Sequence, residues 1–222
     1  MFAHSAAFRL KDPASAITHF IGFLAAVFVT APLLLHAAEE GASAAALVSL
    51  SVFMLSMMLL YASSTAYHSF RLSPVGEKRL KRLDHMMIFV LIAGSYTPIC
   101  VTALGKTGVW LLCLIWGITL GGMALKFFFV GCPKWVSSVL YISMGWVCLL
   151  VLPTIYRALS SAGFYSLLLG GIFYTVGGVI YALKLVRFNR LVPGFGSHEV
   201  FHVFVMLGSL CHYITTYTGL PF

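Results

Sequence analysis

Charge is the scarcest commodity in this chain. Only 9% of its 222 residues are charged, six of them acidic and fourteen Lys or Arg, while 60% are apolar. An ordinary soluble domain is about a quarter charged, so a soluble fold of this length is excluded, in keeping with a mean hydropathy of +0.98. The five cysteines, Cys100, Cys113, Cys132, Cys148 and Cys211, form no CxxC pair and no framework spacing. That excludes a disulfide scaffold, and they read as packing residues in apolar surroundings. The net charge of +8 would suit nucleic acid only if it clustered on an extensive polar face, and the chain has too little polar sequence to make one. No nucleic-acid partner is expected.

What is present is a succession of apolar runs. At ~20 residues per span plus short loops, the length holds about seven or eight membrane helices. Seven are legible, over residues 16–37, 45–67, 85–105, 108–130, 135–156, 163–184 and 199–219. The expected fold is an all-α polytopic membrane protein, a single seven-helix transmembrane domain filling residues 1–222. The first run is longer than the ~7–15 residues of a signal-peptide core, and six more spans follow it, so it reads as an uncleaved anchor.

The loops alternate between two sides, and the fourteen cations do not divide evenly. Only Lys106 and Arg157 fall on one side; the other twelve, from Arg9 to Arg190, fall on the other. The positive-inside rule then places the N-terminus in the cytoplasm and the C-terminus outside. These charges orient a bundle and need no ligand. Gly170-Gly171 and Gly177-Gly178 recur on one helix and permit close helix packing. Pro98 is expected to kink the third helix, with Ser95 and Thr97 hydroxyls near the freed carbonyls, and Pro32 and Pro153 could act similarly in the first and fifth.

Ionisable groups inside spans are costly and are therefore the functional candidates. His198 and His202 open the seventh run at a spacing of four, which puts both imidazoles on one helix face. His68 closes the second run just before Arg71, and Asp84 opens the third just after Lys81 and Arg82. Topology alone thus brings four groups from three helices to one membrane depth. Three neutral imidazoles make an open, catalytic-type zinc site, with His68, His198 and His202 as ligands. Asp84 could accept a proton there, and Ser64, one turn before His68, could orient it. Each has an ordinary alternative: His68 as an interfacial residue, Asp84 as a helix cap or partner of Arg82, Ser64 as a back-bonded hydroxyl. His4, His19, His36, His85 and His212 are set aside by position. His198-Glu199-Val200-Phe201-His202 also satisfies HExxH, in which the glutamate is a protease base. No third ligand follows it at a usable distance, so Glu199 reads instead as a first-turn acid favoured by the helix dipole.

Ser64-x3-His68, Asp84-His85-Met86-Met87-Ile88-Phe89, Ala93-Gly94-Ser95-Tyr96-Thr97-Pro98 and His198-x3-His202 together resemble the hemolysin III family of bacterial membrane proteins. Those are relatives of the progestin and adipoQ receptors and, more distantly, of the alkaline ceramidases. The resemblance spans essentially the whole chain. It implies seven spans in the bacterial cytoplasmic membrane, a zinc ion on His68, His198 and His202, Asp84 toward the zinc-bound water, and Ser64 nearby. It also implies three classes of function, cytolysis, reception and metal-dependent hydrolysis of lipid amides, and the readings open for this chain are a zinc-dependent hydrolase of lipid amides or esters at the cytoplasmic leaflet, a sensor of membrane state with a structural zinc, or a cytolysin. The first takes membrane lipids as partners and substrate. The last has no support in the residues, since the spans lack the polar stripes that line a pore.

Overall fold

The structure, a computed structural model, describes residues 10–222, apart from the side chain of Arg187. His4 and Arg9 of the sequence reading lie outside it. The described residues are helical, without strands: α1 (Pro13–Glu39), α2 (Ala44–Ser69), α3 (Pro74–Thr102), α4 (Gly105–Phe128), α5 (Lys134–Gly145), a 3-10 segment (Trp146–Val151), α6 (Leu152–Ala158), α7 (Ser161–Leu183), α8 (Val186–Leu191) and α9 (Ser197–Thr218). Seven stretches are long and apolar enough to cross a membrane, with α5, the 3-10 segment and α6 counted as one. They follow the seven runs to within a few residues except at the start of the third.

That start corrects the placing of Asp84. Ser73 accepts a hydrogen bond from the Gly76 N–H at 3.3 Å, Pro74 fills the first turn, and Glu77 supplies an acid there, the usual signals of a helix N-terminus. α3 therefore begins in the charged stretch that hydropathy marks as a loop. Asp84 lies well inside it, buried rather than capping. The helix continues through Pro98. Ser95 donates to the Ile92 carbonyl and Thr97 to the Ala93 carbonyl, both at 2.8 Å, next to the Gly94 carbonyl that Pro98 cannot reach. In the fifth span the regular helix gives way to the 3-10 segment just ahead of Pro153, which has no N–H for the i−4 carbonyl.

α1, α2, α3, α5, α7 and α9 form a ring, closed where α1 meets α9, and α4 packs outside it along α3. The two glycine pairs of α7 serve two neighbours. A Cβ at Gly177 would meet Phe204 of α9 at 2.9 Å, and one at Gly178 would meet Ile142 of α5 at 3.0 Å. Outward faces carry large apolar side chains such as Phe28, Leu120 and Leu150, as a lipid-facing surface requires. The ring encloses an elongated cavity whose wall is almost wholly apolar.

Two residues depart from their sequence reading. Lys126, counted as a topology charge, is completely buried and donates to Cys132 Sγ at 3.0 Å and Ser137 Oγ at 2.5 Å. Cys132 is accordingly not a packing residue but part of a polar clasp between α4 and α5. Burial pushes its thiol up, but the hydrogen bonds from Lys126 and Ser137 and the lysine charge outweigh this and leave it below the ordinary thiol range. Alkylation of Cys132 by iodoacetamide at pH 7, followed by peptide mass spectrometry, is therefore expected to slow several-fold in Lys126→Met.

Candidate metal centre

The three histidines meet at one end of the ring. His68 sits in the last turn of α2, and His198 and His202 in the first turns of α9. The beginning of α9 is fixed from two directions. Asn189 Oδ1 on α8 accepts from the Ser197 N–H at 2.6 Å, and the Glu199 carboxylate reaches back to the Gly196 N–H at 2.7 Å. Glu199 also accepts from Ser15 Oγ of α1. It therefore serves as the first-turn acid read from the sequence, occupied on both oxygens by α1 and the helix end.

One ring nitrogen from each histidine lies within 4.8 Å of the other two. The Nε2 atoms of His68 and His198 are 3.2 Å apart. The outer nitrogens fix the tautomers. Asp12 Oδ2 lies 3.0 Å from His68 Nδ1; an ionised carboxylate only accepts, so Nδ1 carries the proton and Nε2 presents a lone pair. Thr18 Oγ1 lies 3.0 and 2.9 Å from the Ala14 and Ser15 carbonyls and 3.2 Å from His202 Nδ1; with its one proton on a carbonyl it accepts from Nδ1, which leaves His202 Nε2 bare. Buried lone pairs brought this close repel unless a proton or cation lies between them. These residues form a candidate three-histidine metal site, with the carboxylate and hydroxyl behind the rings that metal-binding histidines commonly have.

Asp84 and Ser64 face the same cavity as His198 and His202, and both are buried. The Asp84 carboxylate lies 3.5 Å from His85 Nδ1. Ser64 is not back-bonded: its Oγ has no hydrogen-bond partner among the described residues, whereas neighbouring Ser63 donates to the Leu60 carbonyl at 2.9 Å. A buried hydroxyl without a partner, opening on a cavity, is free for whatever enters it.

Four residues that the sequence reading set aside or passed over belong to this neighbourhood. Asp12 and Thr18 hold two of the rings. His19 stacks on His202, centroids 3.6 Å apart and planes 5° from parallel, and His85 lines the cavity beside Asp84. The Asp12 N–H donates to the His68 carbonyl at 2.9 Å and the Lys11 N–H to the Ser69 carbonyl at 3.2 Å, so the segment before α1 is sewn to the end of α2. The depth argument that united His68, Asp84 and His198 reaches Asp12 and His19 as well, since both lie at the same end of the bundle.

Residues 9–213 match the protein family described as "Haemolysin-III related". The chain belongs to the hemolysin III family. It is 40% identical over 204 residues to the hemolysin-3 homolog of Bacillus subtilis, covering 91% of both chains. To hemolysin-3 of Bacillus cereus it is 38% identical over 203 residues, 91% of this chain and 88% of the other. The human monocyte to macrophage differentiation factor is 26% identical over 167 residues, 73% of this chain and 66% of its own. With its seven apolar spans, this hemolysin III member is an integral protein of the bacterial plasma membrane.

Proposed function

We propose that this hemolysin III protein is a zinc-dependent hydrolase of lipid amide or ester bonds, with its site at the cytoplasmic end of the bundle and its N-terminus in the cytoplasm. The observation that carries the reading is a three-histidine cluster of which His198 and His202, together with Asp84 and Ser64, line a cavity with a mostly apolar wall. The donor set suits zinc: nitrogen ligands at about 2.0–2.1 Å in a tetrahedron lie about 3.3 Å apart, close to the 3.2 Å between His68 and His198 Nε2. Zinc, when bound, supplies a Lewis acid and makes a nucleophile of water near neutral pH.

The chain's own residues divide the remaining work. The apolar walls take the acyl chain and exclude water, which strengthens every polar interaction at the cavity's end. Asp84 takes the proton released on attack and passes it to the leaving nitrogen or oxygen. Ser64 Oγ, with no partner of its own, donates to the substrate's carbonyl region and orients it. Asp12 and Thr18 hold the His68 and His202 rings in the tautomers that expose Nε2. Glu199 is engaged by Ser15 and the Gly196 N–H, which argues against its serving as a protease base.

The test is turnover by the purified full chain in lipid nanodiscs, on a panel of ceramides, phospholipids and acyl amides, with zinc and with a chelator. Zinc-dependent release of fatty acid from at least one class is expected; no release from any of them by zinc-loaded protein contradicts the reading. Separately, Asp12→Ala is expected to weaken zinc binding about 10- to 100-fold with the helix content unchanged, measured by competition with a zinc-chelating dye and by circular dichroism.

A further inference from the structure

His212 stands apart from the histidine cluster. It lies ten residues beyond His202 on α9, about 15 Å along the helix axis. It is more than nine-tenths buried, it lines the cavity, and neither Nδ1 nor Nε2 has a hydrogen-bond partner among the described residues. Buried polar atoms in native proteins almost always have a partner, so an imidazole with both nitrogens unmet and a cavity beside it points to something within that cavity.

The surroundings show that the ring has a made place. Gly170 of α7 lies against it: a Cβ there would fall 2.7 Å from His212 Cδ2 and 3.0 Å from Nε2. The nearby hydroxyls are engaged with one another and do not serve it, since Tyr61 donates to Ser209 Oγ at 2.8 Å and the Tyr174 hydroxyl pairs with the same oxygen at 2.9 Å. Apolar wall lies elsewhere along the cavity, from Leu104, Leu111, Ile155 and Leu167. Several other polar side chains of the wall are engaged, Tyr96 with the Gly145 carbonyl and the Cys148 N–H, Trp146 with Thr175 and Ser95 with the Ile92 carbonyl, whereas both nitrogens of His212 are unmet among the described residues.

We infer that the cavity takes an acyl chain carrying a hydroxyl near its middle, and that His212 is the residue that recognises that hydroxyl. The inference rests on the reading of the cavity as an acyl-chain site. A hydroxyl both donates and accepts, so it satisfies the imidazole in either tautomer. With the chain's polar head at the histidine cluster, the ~15 Å to His212 corresponds to about a dozen carbons of extended chain.

The test is native mass spectrometry of the full chain, purified in detergent and offered equimolar stearic and 12-hydroxystearic acids. One neutral hydrogen bond translates into roughly a 3- to 10-fold preference, so the bound 12-hydroxy acid is expected to exceed stearic acid by that factor and to exceed 2-hydroxystearic acid likewise. His212→Leu is expected to bring the ratio to one with total bound acid retained. Gly170→Ala, which presses on the ring, is expected to lower it. The two comparisons on the unmutated chain decide the matter even if neither variant folds. Acids bound without preference mean that water alone meets His212; that overturns the inference and leaves the acyl-chain reading standing. No acid bound at all overturns both.

Discussion

Zinc in the purified His202→Ala protein is expected to fall from about one ion per chain to almost none, and with it the response of thermal stability to chelators. His202 is a ligand candidate with no substitute at its position. His19 stacks face to face on its ring, and its in-plane lone pairs are therefore not directed at the cluster centre. Losing a ligand should weaken binding by more than the about 10- to 100-fold cost of disturbing a residue behind one. The thermal consequence follows from linkage: a ligand at a hundred times its Kd stabilises the folded state by about 2.7 kcal/mol. Chelation of the wild type is thus expected to lower Tm by several degrees. His202→Ala should melt lower still, because truncating a buried, stacked ring leaves a void. Its Tm should not change on chelation, and that insensitivity separates loss of metal from loss of packing. A variant that keeps its zinc would show that the three histidines do not share an ion.

Asp84→Asn is expected to do the reverse, keeping the metal and abolishing the chemistry. Asp84 is not among the three residues whose donor atoms converge, yet it lines the same cavity. Asparagine preserves its volume and hydrogen-bonding reach but takes no proton. General base catalysis typically contributes 10²- to 10⁴-fold, so lipid turnover should drop by about 100-fold or more while zinc content and Tm stay near those of the wild type. If turnover persists, the proton goes elsewhere, with His85, 3.5 Å from the carboxylate, the nearest alternative. If zinc is lost as well, Asp84 is a ligand rather than a base. Should chelation change Tm in a wild type that turns over no lipid, the metal is a structural tie between α2 and α9.

The seven spans were legible because the bilayer forces long apolar runs, and the meeting of the three histidines because alternation of the spans assigns a depth to each polar residue. What escaped was set by contacts that neither rule registers. α3 starts at Pro74 because Ser73, Pro74 and Glu77 form a helix N-terminus, a local signal that a hydropathy window averages away. Asp12 and Thr18 reach His68 and His202 only once α1 has packed between α2 and α9. Lys126 looked like any loop cation, yet it turns inward to Cys132 and Ser137. Ser64 lines the cavity one turn before His68, and only the surrounding packing distinguishes it from back-bonded Ser63.

Whether three imidazoles share one cation is tested most directly by X-ray absorption at the zinc edge of the purified wild-type protein. The expected spectrum contains imidazole nitrogen at about 2.0–2.1 Å, three per zinc, with one further oxygen or nitrogen neighbour and no sulfur. A sulfur shell near 2.3 Å, or protein that holds no zinc under conditions that keep it folded, would contradict it.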